Sequence, residues 1–303
     1  MTAARLSRRG LLAAAGAFTL WGLFPIYLHG LAGVSALQVI AHRISWSCLF
    51  ILAWMLARGE LRSLVSTLAK PALLSRLMLT ALLITTNWLA YVWSVTHNHI
   101  VDTSLGYYIN PLMNVVLGVF VLRERLTRAQ WIAVTLAAIA VLYLGVLAGR
   151  PPWIAFTLAI SFSMYGLLRK IISVDALPGL ATETLLLTPF ALLYLSWCAA
   201  SGSGAFVTAG AGVSVLLIGS GLVTAVPLFL FAYGARALPY STVGVLQYIA
   251  PSLQLVCAVL LYHEGFGPKL ALGFALIWVA LLIYAADGIW RARAQARRLA
   301  VAA

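Results

Sequence analysis

The chain has 303 residues, of which 63% are hydrophobic and only 9% charged. A water-soluble domain carries roughly a quarter of its residues as charges, so this composition, with a mean hydropathy of +1.00, excludes a soluble enzyme. The net charge of +13 comes from basic residues placed between apolar runs. With no DNA- or RNA-binding motif present, it points to membrane orientation and not to a nucleic-acid partner.

In chain order, Ser7-Arg8-Arg9-Gly10-Leu11-Leu12 comes first and has the look of a twin-arginine export leader. The apolar run behind it belongs to an internal repeat, so the arginines are read as the cytoplasmic flank of a retained first span. About 20 apolar residues cross a bilayer. Such runs fall at 11–30, 36–57, 73–96, 101–122, 129–148, 152–172, 178–200, 212–234, 240–262 and 267–287, which predicts ten transmembrane helices joined by short connections. No gap holds a nucleotide-binding cassette or a catalytic module. With the N-terminus inside, only Arg150 and Lys269 fall on outer loops, Arg43 lies within a span, and the other 17 of the 20 Lys and Arg are cytoplasmic. Both termini are therefore expected in the cytoplasm. Cys48, Cys198 and Cys257 lie in apolar runs without CxxC spacing, so neither a disulfide framework nor a metal site is expected.

The two halves resemble each other. A shift of 140 residues lays Tyr108-Ile109-x-Pro111 on Tyr248-Ile249-x-Pro251, Val116 on Val256 and Glu124 on Glu264. Trp21-Gly22-Leu23 similarly echoes Tyr165-Gly166-Leu167. Five spans per half insert the second copy upside down. The fold expected is thus an all-α membrane protein of two inverted five-helix repeats, 1–148 and 149–303, an arrangement suited to alternating access.

Ten spans, that repeat and a helix-ending Glu after spans four and nine resemble the EamA branch of the drug/metabolite transporter superfamily. Trp21-Gly22-Leu23-Phe24-Pro25, Ala41-His42-Arg43, Asn87-Trp88, Ser104-Leu105-Gly106-Tyr107-Tyr108-Ile109-Asn110-Pro111, Gln247-Tyr248-Ile249-Ala250-Pro251 and Phe274-Ala275-Leu276-Ile277-Trp278 are similar to its RarD-type members over essentially the whole chain. The resemblance implies a permease of a bacterial inner membrane. It names no substrate. A membrane-embedded sensor, or another non-transport protein on the same fold, is the alternative. No nucleophile–base pair, HExxH or P-loop supports an enzyme, and no cofactor is expected.

Arg43 is the most informative side chain, since a charge that deep in a span costs about 2.5–3.5 kcal/mol to insert. It either pairs helices or snorkels, or it holds the carboxylate of an anionic or zwitterionic solute in a central cavity. His42 points about 100° away and shares a face with Gln38 and Trp46; a proton relay and a packing role both stay open for it. Asn87 with Tyr91, Asn110 with Asn114, and Gln247 with Gln254 each share a helix face that must turn from lipid. With Arg43 and His42, the residues Asn87, Trp88, Tyr91, Tyr108, Asn110, Gln247 and Tyr248 are expected to form the substrate site, whereas Asn114 and Gln254 are read as interhelical ties. Pro111 and Pro251, at equivalent places, are the expected hinges, with Pro25 and Pro227 as further breaks. Glu183 is read as an interface residue near Lys170, with a coupling-proton site as the other possibility. Glu124 and Glu264 are read as structural, and Asp102, His97 and His99 as outer-loop residues. The partners expected are a small organic solute and lipid; oligomeric state is left open.

Overall fold

The computed structural model describes residues 7–96, 100–148, 153–261 and 267–301. His97, His99, Arg150 and Glu264 lie outside them, and the side chain of Asp102 is not described.

Helix α1 (Arg8–Gly22) starts at Ser7, whose hydroxyl accepts from Gly10 N–H at 3.1 Å, satisfying one of the donors every helix start leaves free. It breaks at Leu23 and resumes as α2 (Phe24–His29), with Pro25 in its opening turn. Pro25 has no N–H to give to the Trp21 carbonyl four residues back; Gln254 Nε2 donates to that carbonyl instead, at 3.3 Å. Next come α3 (Ala36–Ala57), a short α4 (Leu61–Leu68), α5 (Pro71–Thr96), α6 (Ile100–Phe120) and α7 (Arg128–Ala148). The second half runs α8 (Trp153–Ile171), α9 (Ala176–Ala200), α10 (Ala211–Ala237), α11 (Tyr240–Gln247), α12 (Ile249–Leu260) and α13 (Pro268–Val301).

Among the described residues eight helical stretches are long and apolar enough to cross a membrane: α1 with α2, then α3, α5, α7, α8, α9, α10 and α13. The 21-residue α6 and the pair α11–α12 occupy the places expected for spans four and nine. Three features depart from the plain run of spans. The helix α4 lies where only a connection was expected, span nine is interrupted at Tyr248, and α13 continues well past residue 287.

The outer surface is apolar: Val146, Phe120, Phe190, Leu193 and Trp290 are all exposed. Hydrocarbon, unlike water, sets no penalty on them. Without a hydrophobic force between helices, close approach relies on small residues. A Cβ on Gly221 of α10 would lie 2.6 Å from the Trp46 backbone of α3, and one on Gly234 would lie 2.8 Å from Ala14 Cβ of α1. An aromatic core of Phe18, Trp21, Phe162, Tyr165 and Phe231 joins α1, α8 and α10. A second core holds Tyr108, Tyr248 and Phe274 where α6, α7, α12 and α13 meet.

Candidate functional site: an arginine between aromatic rings

Arg43 stands seven residues past the start of α3 at Ala36. Its guanidinium carbon lies 4.7 Å from the Phe24 ring centroid and 5.1 Å from that of Trp88. Each contact is the cation–π kind, worth about 0.5–2 kcal/mol according to how far water is excluded. Nε donates to Thr224 Oγ1 at 2.7 Å. Tyr27, Tyr91 and Tyr107 lie within electrostatic reach. Phe24 stacks on Tyr27 at 6.1 Å, and Tyr91 meets Tyr107 at 6.2 Å.

Local structure explains how these groups converge. The Phe24-Pro25 segment after the break at Leu23 brings one aromatic ring to the guanidinium, α5 brings the second, and the hydroxyl comes from α10. Among the described residues no carboxylate pairs with Arg43, and its two terminal nitrogens have no acceptor. The residue is only half-buried. Two terminal nitrogens that normally donate, as a fork, to carboxylate or phosphate oxygens are thus left to a third party.

The other predicted residues divide. Trp88 and Tyr91 stand with Arg43. Asn87 ties α5 to α8, donating to Leu158 O at 2.9 Å and Ser161 Oγ at 3.1 Å. Asn110 accepts from Ser163 Oγ at 2.6 Å, and Asn114 donates to Gln247 Oε1 at 2.7 Å. Tyr248 OH donates to Tyr108 O at 3.2 Å, and both rings lie in the second core, away from Arg43. His42 turns to the loop between α9 and α10 and packs on Phe206 at 5.1 Å. On the same face Gln38 binds Ser203 O and Ala205 N, both at 2.8 Å. That face therefore grips residues 203–206, while Arg43, next to His42 in the chain, meets Phe24, Trp88 and Thr224. Pro111 lies inside an unbroken α6, its carbonyl against Gly244; Pro251 sits in the first turn of α12, just past the break at Tyr248.

Elsewhere Glu183 meets a residue that the sequence did not single out, Arg169. Arg169 is 1% exposed and its Nε lies 3.7 Å from Oε1 of Glu183, itself 2% exposed. Arg169, and not the neighbouring Lys170, faces Glu183. Lys170 instead donates to the Ala235 and Leu238 carbonyls at the end of α10. Glu124 accepts from Tyr240 N (2.5 Å), Ser241 N (2.9 Å) and Ser241 Oγ (2.6 Å), so it caps α11 in the other half of the chain.

Residues 8–146 match the EamA-like transporter family. The chain is 43% identical over 303 residues to "Protein RarD" of Streptomyces exfoliatus, covering 100% of this chain and 96% of that one. It is 44% identical over 283 residues to an "Uncharacterized transporter" of Vibrio cholerae, covering 93% and 94%. A chain of known crystal structure superposes with a TM-score of 0.69 over 90% of this chain and 96% of its own. At 19% identity that likeness speaks to the fold alone. Apolar helices and bacterial relatives make this a multi-pass inner-membrane protein. It belongs to the EamA-like transporter family, as one of its RarD-type members.

Proposed function

We propose that the protein is a secondary transporter of small organic solutes, with Arg43 as the cation that receives an anionic or zwitterionic substrate. Ten spans in two inverted halves, 1–148 and 149–303, would alternate access to it, with both termini cytoplasmic. The packing supports such a repeat. If each helix of the first half is matched to its counterpart in the second, α6 on α8 answers to α12 on α1. Likewise α1 on α10 answers to α8 on α5, and α3 on α10 to α9 on α5. Three pairs map onto themselves: α3 with α9, α6 with α11, and α7 with α13. Equivalent tyrosines, Tyr108 and Tyr248, touch.

The observation that carries the substrate reading is the guanidinium lying against the Phe24 and Trp88 rings, its terminal nitrogens without an acceptor among the described residues. A deep arginine needs something to offset its insertion cost. Two ring faces and one hydroxyl hold it in place without neutralising it, which keeps a positive charge available. Tyr91 and Tyr107 add amphipathic wall, as small-ligand sites commonly have.

A panel of radiolabelled amino and organic acids in sealed proteoliposomes, with and without a pH gradient, tests this. Arg43→Lys keeps the charge and loses the fork. It should insert normally and transport poorly. Parental transport by Arg43→Ala at equal expression would overturn the reading.

A further inference from the structure

Arg43 and Glu183 stand 140 residues apart, the spacing that lays Tyr108 on Tyr248. Each lies seven residues past the start of its helix, at Ala36 and Ala176. Each meets a threonine: Thr224 Oγ1 is 2.7 Å from Arg43 Nε, and Thr80 Oγ1 is 2.5 Å from Glu183 Oε1. Both threonines also reach back along their own helices, Thr224 to Ser220 O and Thr80 to Leu77 O, both at 2.8 Å.

A hydroxyl has one proton to donate. Thr224 gives it to Ser220 and accepts from Arg43. In the same posture Thr80 gives its proton to Leu77, and the contact with Glu183 is then made by a carboxyl O–H donating to Thr80. Rotated the other way, Thr80 donates to an ionised Glu183. The carboxyl is hydrogen-bonded in either protonation state with no heavy atom displaced.

The surroundings distinguish the two states. Arg169 Nε stands 3.7 Å from Oε1, too far for a hydrogen bond. Arg169 NH2 donates to Ala176 O at 2.9 Å, while its sealed Nε and NH1 have no acceptor. A guanidinium beside a fixed carboxylate normally closes on it as a fork; this one stands off, with two donors unused among the described residues. From α8, Tyr165 OH also lies 3.3 Å from Oε2. The helices α3, α4 and α10, which pack on α9 as well, bring no charged side chain to Glu183 among the described residues, and α5 brings only Thr80.

We propose that Glu183 is a reversible proton-binding site. Neutral, it donates to Thr80 and leaves Arg169 on the Ala176 carbonyl. Ionised, it accepts from Thr80 and Tyr165 and draws in the free N–H groups of Arg169. The proton comes from bulk water and returns to it, and no other group changes protonation. The place of this site in a transport cycle rests on the transporter reading above; the proton binding does not.

Infrared difference spectra of the full chain in lipid vesicles, between about pH 8 and about pH 5, read the proton directly through the C=O stretch of a neutral carboxyl. With only seven Asp and Glu in the chain, few other protein carboxyls contribute, and the lipid ester carbonyls, which do not titrate, cancel in the difference. The parent should show a titrating carboxyl band that Glu183→Gln loses and Glu183→Asp shifts. If Glu183→Gln fails to fold because Arg169 is left alone, the double variant Arg169→Met/Glu183→Gln removes the orphaned charge and is held to the same loss. Superimposable spectra from parent and variant, or a band that persists unchanged across the range, would overturn the proposal. The readout needs no transported solute. A silent transport assay beside a titrating band would therefore count against the transporter reading and leave the proton site standing.

Discussion

Glu124 offers the sharpest energetic test, because one carboxylate joins the two halves of the chain. Its oxygens take the Tyr240 and Ser241 N–H groups and the Ser241 hydroxyl at 2.5–2.9 Å, where α11 begins. Those N–H groups have no partner within the helix, and a negative charge there also meets the positive end of the helix dipole. Loss of a helix cap costs about 0.5–2 kcal/mol, and a hydrogen bond to a charged group contributes about 1.5–3 kcal/mol. The three bonds share one acceptor group and are not additive, so Glu124→Ala should cost roughly 2–4 kcal/mol. Glu124→Gln is the informative control. It keeps one carbonyl oxygen for Tyr240 N, but it puts an NH2 where Oε2 now faces two donors. It should therefore lose nearly as much as alanine, although it is the same size as Glu. The measurement is unfolding free energy in a mixed-micelle SDS titration. If Glu124→Ala stays within about 0.5 kcal/mol of the parent, as an ordinary surface substitution would, the cap does not hold the halves together and the reasoning fails.

Other outcomes follow from the same geometry. Gly221→Ala drives a Cβ into the Trp46 backbone, whereas Gly212 has nothing within 4 Å; the first should destabilise by about 1–3 kcal/mol and the second should be near neutral in the same titration. Thr224→Val removes the acceptor of Arg43 Nε while preserving shape, so solute affinity should fall by about tenfold, the equivalent of one charged hydrogen bond; an unchanged half-saturation concentration would separate Thr224 from the site. His42→Phe keeps a ring against Phe206 and should transport as the parent does, and a collapse in uptake would restore the proton-relay role for His42. Reporter fusions at each end should be active only with a cytoplasmic reporter; a periplasmic signal from one end would refute the even number of spans.

Much of this protein was legible in one dimension. Whether a run of residues enters the bilayer depends on its own composition, so the apolar runs at 36–57, 129–148 and 212–234 closely match α3, α7 and α10. The depth of Arg43 was equally plain, because a charge in such a run stands out without any knowledge of its neighbours. What surrounds that charge was not. Thr224 is 181 positions away, and neither it nor Phe24 has a residue type that signals a ligand. Glu183 stands out as a carboxylate in an apolar run, but Arg169 sits at the end of its apolar run beside Lys170, where the two read as one basic flank, and hydropathy cannot tell a solvated arginine from one that is 1% exposed. The helical period told which side chains share a face with His42, yet only packing decided that this face grips the loop at 203–206. Asn87 and Asn110 were correctly turned from lipid, because an amide has to find a partner there. That requirement is met equally well by another helix or by a solute, and the tertiary structure gave both to α8. Insertion is a local sum over neighbouring residues and is read from the sequence; pairing is a long-range choice among chemically equivalent partners, and it is made only when the helices pack.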